Sequence, residues 1–433
     1  MHLRWIVLGV FALTYGFLCF SSRHRPLGVW LGIAILILAR LVLAGQDPTG
    51  ALTPRGLAFE AVPWNVIGVL AGAMLVADLF MASGVPLLVA DLIVDRCRTV
   101  RMAIVSTCLF SGFVSAFVDN VTTVLLVAPI ALAIAQRAKT SPVPILIGIA
   151  VSSNLQGAAT LIGDPPSMLL AGAFRMSFND FFVYLGRPSM FFAMQAGALA
   201  SAAVLFVVYR NLREPMEPVE VVKPKTWVPV GFVVVMILFL ASSSHFDPGF
   251  RWLAGTGTAI LGALAFLWGL RHDPKEARAI FRRYDYPTMA LLTGIFVLAY
   301  AMDEFGWVKA IADGIARLVG TNKFAAYTLI VWVSVLVSAV VDNIAYVALM
   351  LPVTKNLAAA VGGEPFLYAA GLLVGACLGG NITPVGAACN VVSVGILRRH
   401  GHRVTFWQFA RIGLPFTLAA TVAGYIFVWL FWS

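Results

Sequence analysis

Residues 115–123, Ser-Ala-Phe-Val-Asp-Asn-Val-Thr-Thr, put a carboxylate, an amide and two hydroxyls (Asp119, Asn120, Thr122, Thr123) inside an apolar run that extends over 103–135. A matching word, Ser-Ala-Val-Val-Asp-Asn, returns at 338–343, so that Asp342 and Asn343 repeat Asp119 and Asn120 at a numbering shift of 223. Ionisable groups at the depth of a bilayer are costly and mark ion or substrate pathways. A polar cluster that occurs twice in hydrophobic surroundings predicts a site assembled from two copies of one unit.

The surroundings set the class. Of 433 residues, 60% are hydrophobic and 12% charged, and many apolar runs approach the roughly 20 residues that cross a ~30 Å hydrocarbon core. A water-soluble domain of this length could not hide so much apolar surface, so the chain reads as an all-α polytopic membrane protein whose first partner is the lipid bilayer. The formal charge of +10 sits in short loops between apolar runs, as membrane topology requires, and does not indicate nucleic acid. Five cysteines show no metal spacing. No nucleophile–base set, nucleotide loop or metal motif is present, so no enzyme and no cofactor is expected. Any use of ATP would need a separate subunit, and none is required. The run 5–20 resembles a signal sequence but lacks a small-residue cleavage site. Trp5 also has a counterpart at Trp227, so the run is read as the first spanning helix.

Apolar segments fall at about 4–20, 28–45, 63–82, 102–136, 143–172 and 188–209. After a polar linker, 211–225, they fall at about 227–243, 252–270, 287–304, 325–355, 366–396 and 412–431. The two Asp-Asn runs are too long for single helices and are read as re-entrant hairpins. The runs 145–170 and 368–396 are read as broken helices, interrupted at Gly163-Asp164-Pro165-Pro166 and Thr383-Pro384-Val385-Gly386. Backbone groups freed there survive in a membrane only where protein or a watery cavity satisfies them. A shift of 223 carries Ser115 to Ser338, Pro129 to Pro352, Gly157 to Gly380, Thr160 to Thr383 and Gly163 to Gly386; a shift of 222 carries Gly72 to Gly294 and Gly84 to Gly306. The chain is therefore organised as a first repeat (1–210), a cytoplasmic linker (211–225) and a second repeat (226–433).

With five crossings per half, the second copy must be inverted, giving about ten full spans plus two hairpins. With both termini outside, 19 lysines and arginines fall on the cytoplasmic side and nine on the outer side, the bias expected of this orientation. Inverted-topology repeats with discontinuous helices meeting at the midplane are a secondary-transporter pattern.

Half-helix ends aim partial charges at a common point. Asn120, Asn343, Thr122, Thr160 and Thr383 offer neutral oxygens and donors of the kind that coordinate sodium or an oxygen-rich solute, with Asn120 and Asn343 as the sodium candidates. Asn154 and Asn381 lie near the breaks and extend the set. Asp119 and Asp342 can each hold a proton or neutralise a cation; the alternative is that each caps a half-helix at a hairpin tip. Asp164 has no repeat mate, because its counterpart is Ala387. In Asp164-Pro165 it reads as a cap before a first-turn proline or as a coupling group. Ser167 maps onto Asn390. Asp78, in the apolar run 67–81, is either a relay carboxylate or an interface residue. Cys377 and Cys389 flank the second break as small apolar residues or as thiophilic contacts.

Laid out this way, the chain resembles the ion transporter superfamily over nearly its whole length. The resemblance is to the branch with arsenite/antimonite permeases, D-type sodium/proton antiporters and P-protein-like sequences, which share a citrate transporter-like domain. Its carriers are 115–124, 159–167 (Ala-Thr-Leu-Ile-Gly-Asp-Pro-Pro-Ser) and 401–406 (Gly-His-Arg-Val-Thr-Phe). The resemblance implies a scaffold domain and a transport domain, a homodimer and an elevator-like movement, in a bacterial inner membrane. Sodium-coupled dicarboxylate symporters of the superfamily carry Ser-Asn-Thr at the hairpin tip. Here aspartate precedes Asn120 and Asn343, which counts against a dianion. The expectation is an ion-coupled (proton or sodium) secondary transporter of a small inorganic solute or ion, either an arsenite/antimonite efflux permease or a sodium/proton antiporter. An anion channel-like permease and a sodium-coupled carboxylate symporter are the alternatives.

Overall fold

The computed structural model describes residues 2–20, 24–43, 52–212, 214–215 and 223–433; most of the linker 211–225 lies outside them. The first half comprises α1 (His2–Phe20), α2 (Arg25–Val42), α3 (Trp64–Ala82), α4 (Val85–Asp95), α5 (Val100–Ser115), α6 (Asn120–Arg137), α7 (Pro142–Gly157), α8 (Pro165–Phe174) and α9 (Met190–Val208). The second comprises α10 (Val228–Phe246), α11 (Leu253–His272), α12 (Pro274–Arg283), α13 (Tyr286–Glu304), α14 (Trp307–Val319), α15 (Lys323–Ser338), α16 (Asn343–Val361), α17 (Pro365–Gly379), α18 (Ala388–Arg399) and α19 (Phe406–Trp432). One small hairpin, Val183–Tyr184 with Arg187–Pro188, is the only sheet among the described residues.

Ten helices among the described residues are long and apolar enough to cross a membrane. The number matches the expected ten crossings, but the membership differs. It includes α6 and α16, the second arms of the two hairpins, and omits α1 and the broken pair α7–α8.

The element starts carry the repeat. Those of α3 and α4 recur in α13 and α14 at a shift of 222; those of α5, α6, α7 and α8 recur in α15, α16, α17 and α18 at a shift of 223. Packing is reciprocal: α2 lies on α13 and α11 on α3, while α18 lies on α6 and α8 on α16. One glycine pair shows why the sequence match exists. Gly84 and Gly306 precede the short helices α4 and α14 at φ of 76° and 75°, a left-handed conformation that costs other residues dearly.

Three helices lie outside the expected segments. Helices α4 and α14 are too short to cross, and α14 meets α15 at a bend of 119°. Helix α12 is amphipathic: Asp273 accepts from the Glu276 amide (3.1 Å) and Arg283 pairs with Glu276 (2.6 Å), while Ala277 and Ile280 are buried. It packs under α3 and α11. The α3–α11 seam is close, since a Cβ on Gly72 would land on the Thr258 carbonyl. A helix wall joined this way leaves no room to slide without repacking.

Candidate functional site

Each hairpin tip is built alike. Asp119 stands at the N-cap of α6 and accepts from the Thr122 amide (3.0 Å) and hydroxyl (3.2 Å); Asp342 stands at the N-cap of α16 and accepts from the Ile344 amide (3.0 Å). Both aspartates therefore cap a helix with an oxygen. Thr123 returns its hydroxyl to the Asp119 carbonyl (2.9 Å). Behind each tip a break residue ties the hairpin down: the Thr160 hydroxyl donates to the Ala116 carbonyl, and that of Thr383 to the Ala339 carbonyl (2.5 Å). These bonds are repeat mates at both ends.

The acids themselves are treated differently. Asp342 forms an ion pair with Arg25, from the start of α2, at 2.6 Å, and both groups are mostly buried. Asp119 has no such partner among the hydrogen bonds and ion pairs described; it opens onto a cavity. Asp164 has the N-cap dihedrals of α8 but makes no side-chain cap bond. The reason is local: Pro165 and Pro166 remove the first two amide donors of the helix, and the third amide, that of Ser167, donates to the Asp164 carbonyl (3.0 Å). The Asp164 carboxylate is 4% exposed, and its Oδ2 has no hydrogen-bond partner; neither have the buried hydroxyls of Ser115 and Ser167. The Asn343 side chain, from the opposite tip, lies against Asp164.

A chain of amides joins the two breaks. Asn120 donates to Asn154 (3.1 Å), and Asn154 donates to Asn381 (3.0 Å) and to the Cys377 carbonyl (2.7 Å). Asn381 donates back to the Val151 carbonyl (3.1 Å). Asn154 and Asn381 are fully buried and bonded to protein, so the structure places them behind the tips rather than on a cavity. Asn390 donates to the carbonyls of Gly380 (2.9 Å) and Thr383 (3.0 Å). Cys377 and Cys389 are buried among helices.

Two vestibules approach this centre from opposite ends of the same helices. The first, about 600 Å³, is lined by Asp119 and Thr122 of the first tip, Asp164, Asp78 on α3, and Glu276, Arg283 and Asp285 around α12. The second, about 800 Å³, carries Arg175, Arg251, Lys355, Glu60 and Asp303. On α3, Val66 faces the second and Leu70 the first; on α8, Leu169 faces the second and Met168 the first. The septum along α3 is thus about one helical turn, roughly 6 Å. Ser115, Arg25 and the acids around α12 were not among the candidates read from sequence. Ser115 stood within the repeated word, whereas Arg25 looked like one more loop cation.

The profile of the citrate transporter family, CitMHS, matches residues 15–372 and 250–433. The chain is 31% identical to the uncharacterized transporter Rv2685 of Mycobacterium tuberculosis over 98% of both chains. It is 29% identical to the P protein of Mus musculus, over 96% of this chain and 59% of that one. Its fold is shared with the YdaH transporter of Alcanivorax borkumensis (TM-score 0.63, 16% identity, 94% of this chain and 98% of that one). The family, Rv2685 and YdaH are transporters, not enzymes. An integral membrane protein with buried acids between two vestibules and these matches belongs to the citrate transporter family, CitMHS, within the ion transporter superfamily.

Proposed function

We propose that the chain is an ion-coupled secondary transporter that draws on protons or sodium at the first break and moves a small inorganic solute or ion. One observation carries this reading: two vestibules reach α3 and α8 from opposite ends and stop about a helical turn apart along α3, with Asp119 and Asp164 lining the first of them. A barrier that thin, beside ionisable groups, suits alternating access. In this reading Asp119, Asn120 and Thr122 of the first tip, with Thr160, Asp164 and Ser167 of the first break, handle the driving ion. Asn343 closes over them from the second tip. The lysine and arginine bias turns the acidic vestibule, floored by α12, toward the cytoplasm.

An entrance with five acids and one arginine concentrates cations and repels polyanions. It favours sodium/proton exchange or arsenite-type efflux. A carboxylate symporter is the second reading, favoured by Arg175, Arg251 and Lys355 in the other vestibule and by the family's description. Proteoliposomes of the purified chain, given sodium, arsenite and citrate under proton and sodium gradients, separate the two. We expect sodium- or arsenite-linked proton flux that Asp164→Asn abolishes. Sodium-driven citrate uptake establishes the second reading, and voltage-driven current without counter-flux establishes a channel-like permease.

A further inference from the structure

The first and second breaks share a backbone and differ in what fills it. At the first, the carbonyl oxygens of Gly157, Ser115 and Ala116 converge over Gly163. The residues of this break and its tip include three buried polar groups without hydrogen-bond partners, the Ser115 hydroxyl, Asp164 Oδ2 and the Ser167 hydroxyl, and Asp164 packs against Gly157. Oxygens of this kind, with one carboxylate oxygen lacking any donor among them, suit the coordination shell of a dehydrated hard cation. Asp164 also lines the acidic vestibule, which supplies an entry path.

At the second break the same cradle recurs, with the carbonyls of Gly380 and Ala339 over Gly386. Its polar groups are engaged. Asn390, the mate of Ser167, drives its amide into the cradle and donates to the carbonyls of Gly380 (2.9 Å) and Thr383 (3.0 Å). Ser338, the mate of Ser115, donates to the Ala376 carbonyl (2.5 Å). Ala387 replaces the carboxylate of Asp164. The acid at this half's hairpin tip, Asp342, is already neutralised by Arg25.

We infer that the second break is a permanently plugged copy of the first. Asn390's amide stands where a cation would, Arg25 supplies the missing positive charge, and the protein takes one monovalent cation (sodium or a proton) per chain, at the first break. This rests on the proposed transport function and assigns its stoichiometry. Asn390 and Arg25 are positioning residues that hold the second half in the geometry an ion would otherwise impose.

The test uses the full chain in lipid nanodiscs, with 22Na+ binding and proton uptake after a pH jump as separate arms, and thermal unfolding as the check on folding. The wild-type chain binds one equivalent in one of the two arms. Ala387→Asp with Asn390→Ser, which rebuilds the first break in the second half, raises this to two. The reciprocal pair, Asp164→Ala with Ser167→Asn, plugs the first break and lowers it to none. Asn390→Ser alone keeps the single equivalent, whereas its loss there makes Asn390 a ligand and overturns the inference. Two equivalents in the wild type, or a folded Ala387→Asp/Asn390→Ser chain that still binds one, overturn it as well. No cation in either arm removes the functional reading and the inference together.

Discussion

The two hairpin tips teach most when set side by side. Both put an aspartate at the N-cap of a helix, both hang from a threonine hydroxyl on a matching carbonyl, and both follow the same Ser-Ala word. They part at the next shell. Asp342 meets a guanidinium contributed from α2, at the far end of the sequence, whereas Asp119 faces a cavity and is joined there by Asp164. The repeat supplies a symmetric frame; a few sequence differences then make one half electrostatically closed and leave the other open. Low dielectric magnifies such differences, because an unpaired buried charge is far more costly than a paired one.

Four measurements test how far that contrast holds. The largest effect should come from Asp164→Asn, which reduces ion-driven flux to the background of empty proteoliposomes. Ala387→Ser at the mirror position should leave flux in place, and equal losses at both positions would erase the distinction. Next, Arg25→Ala leaves Asp342 buried and unpaired and should cost about 3–5 kcal/mol in unfolding free energy. Adding Asp342→Asn should recover most of it, while Asp119→Ala alone, with no arginine to orphan, should cost about 0.5–2 kcal/mol, the value of a cap. Thermal or denaturant unfolding in detergent reads both.

The third measurement looks for sameness. Thr160→Val and Thr383→Val each leave a buried carbonyl without its donor and should each lower stability by about 1–3 kcal/mol, equally in the two halves. The smallest effect concerns the helix entries outside the membrane. Helix α2 begins at His24, which makes no side-chain cap bond, whereas Asp247 accepts amides of Arg251 (2.9 Å), Trp252 (2.9 Å) and Leu253 (3.0 Å) before α11. Burial raises the Asp247 carboxyl, but the three amides and the Arg251 charge together outweigh it and hold the group below its ordinary value. Its contribution is therefore complete above about pH 4, the ordinary aspartate value, and is lost as pH falls through the lowered folded value. Asp247→Asn should flatten that acid-side loss; an unchanged profile assigns it to other carboxylates.

The frame was legible in the chain wherever a repeat mate existed. The starts of α5 to α8 and α15 to α18 follow from the shift of 223, and the aspartate caps ahead of Asn120 and Asn343 were the alternative weighed against an ion-handling role. Helices α4, α12 and α14 were not legible, because helices this short fall well below the run of residues that spans the hydrocarbon. Gly84 and Gly306 did mark two of these entries, but only the φ of 76° and 75° explains the glycines. The Arg25–Asp342 pair has no local signature at all, since contact over that separation is a product of tertiary packing. At Asp164 the motif misled: Asp-Pro suggests a cap, but Pro165 and Pro166 have no amide to give and the next one, that of Ser167, turns to the Asp164 carbonyl.

The Asn120–Asn154–Asn381 relay has a mechanical consequence. Its side chains are buried, they cross from one half of the chain to the other, and each link is a hydrogen bond shielded from water. Such clasps cannot open singly without stranding several polar groups at once. Displacing the first break from α3 would then draw the second along, so the two breaks are clasped into one rigid unit rather than two.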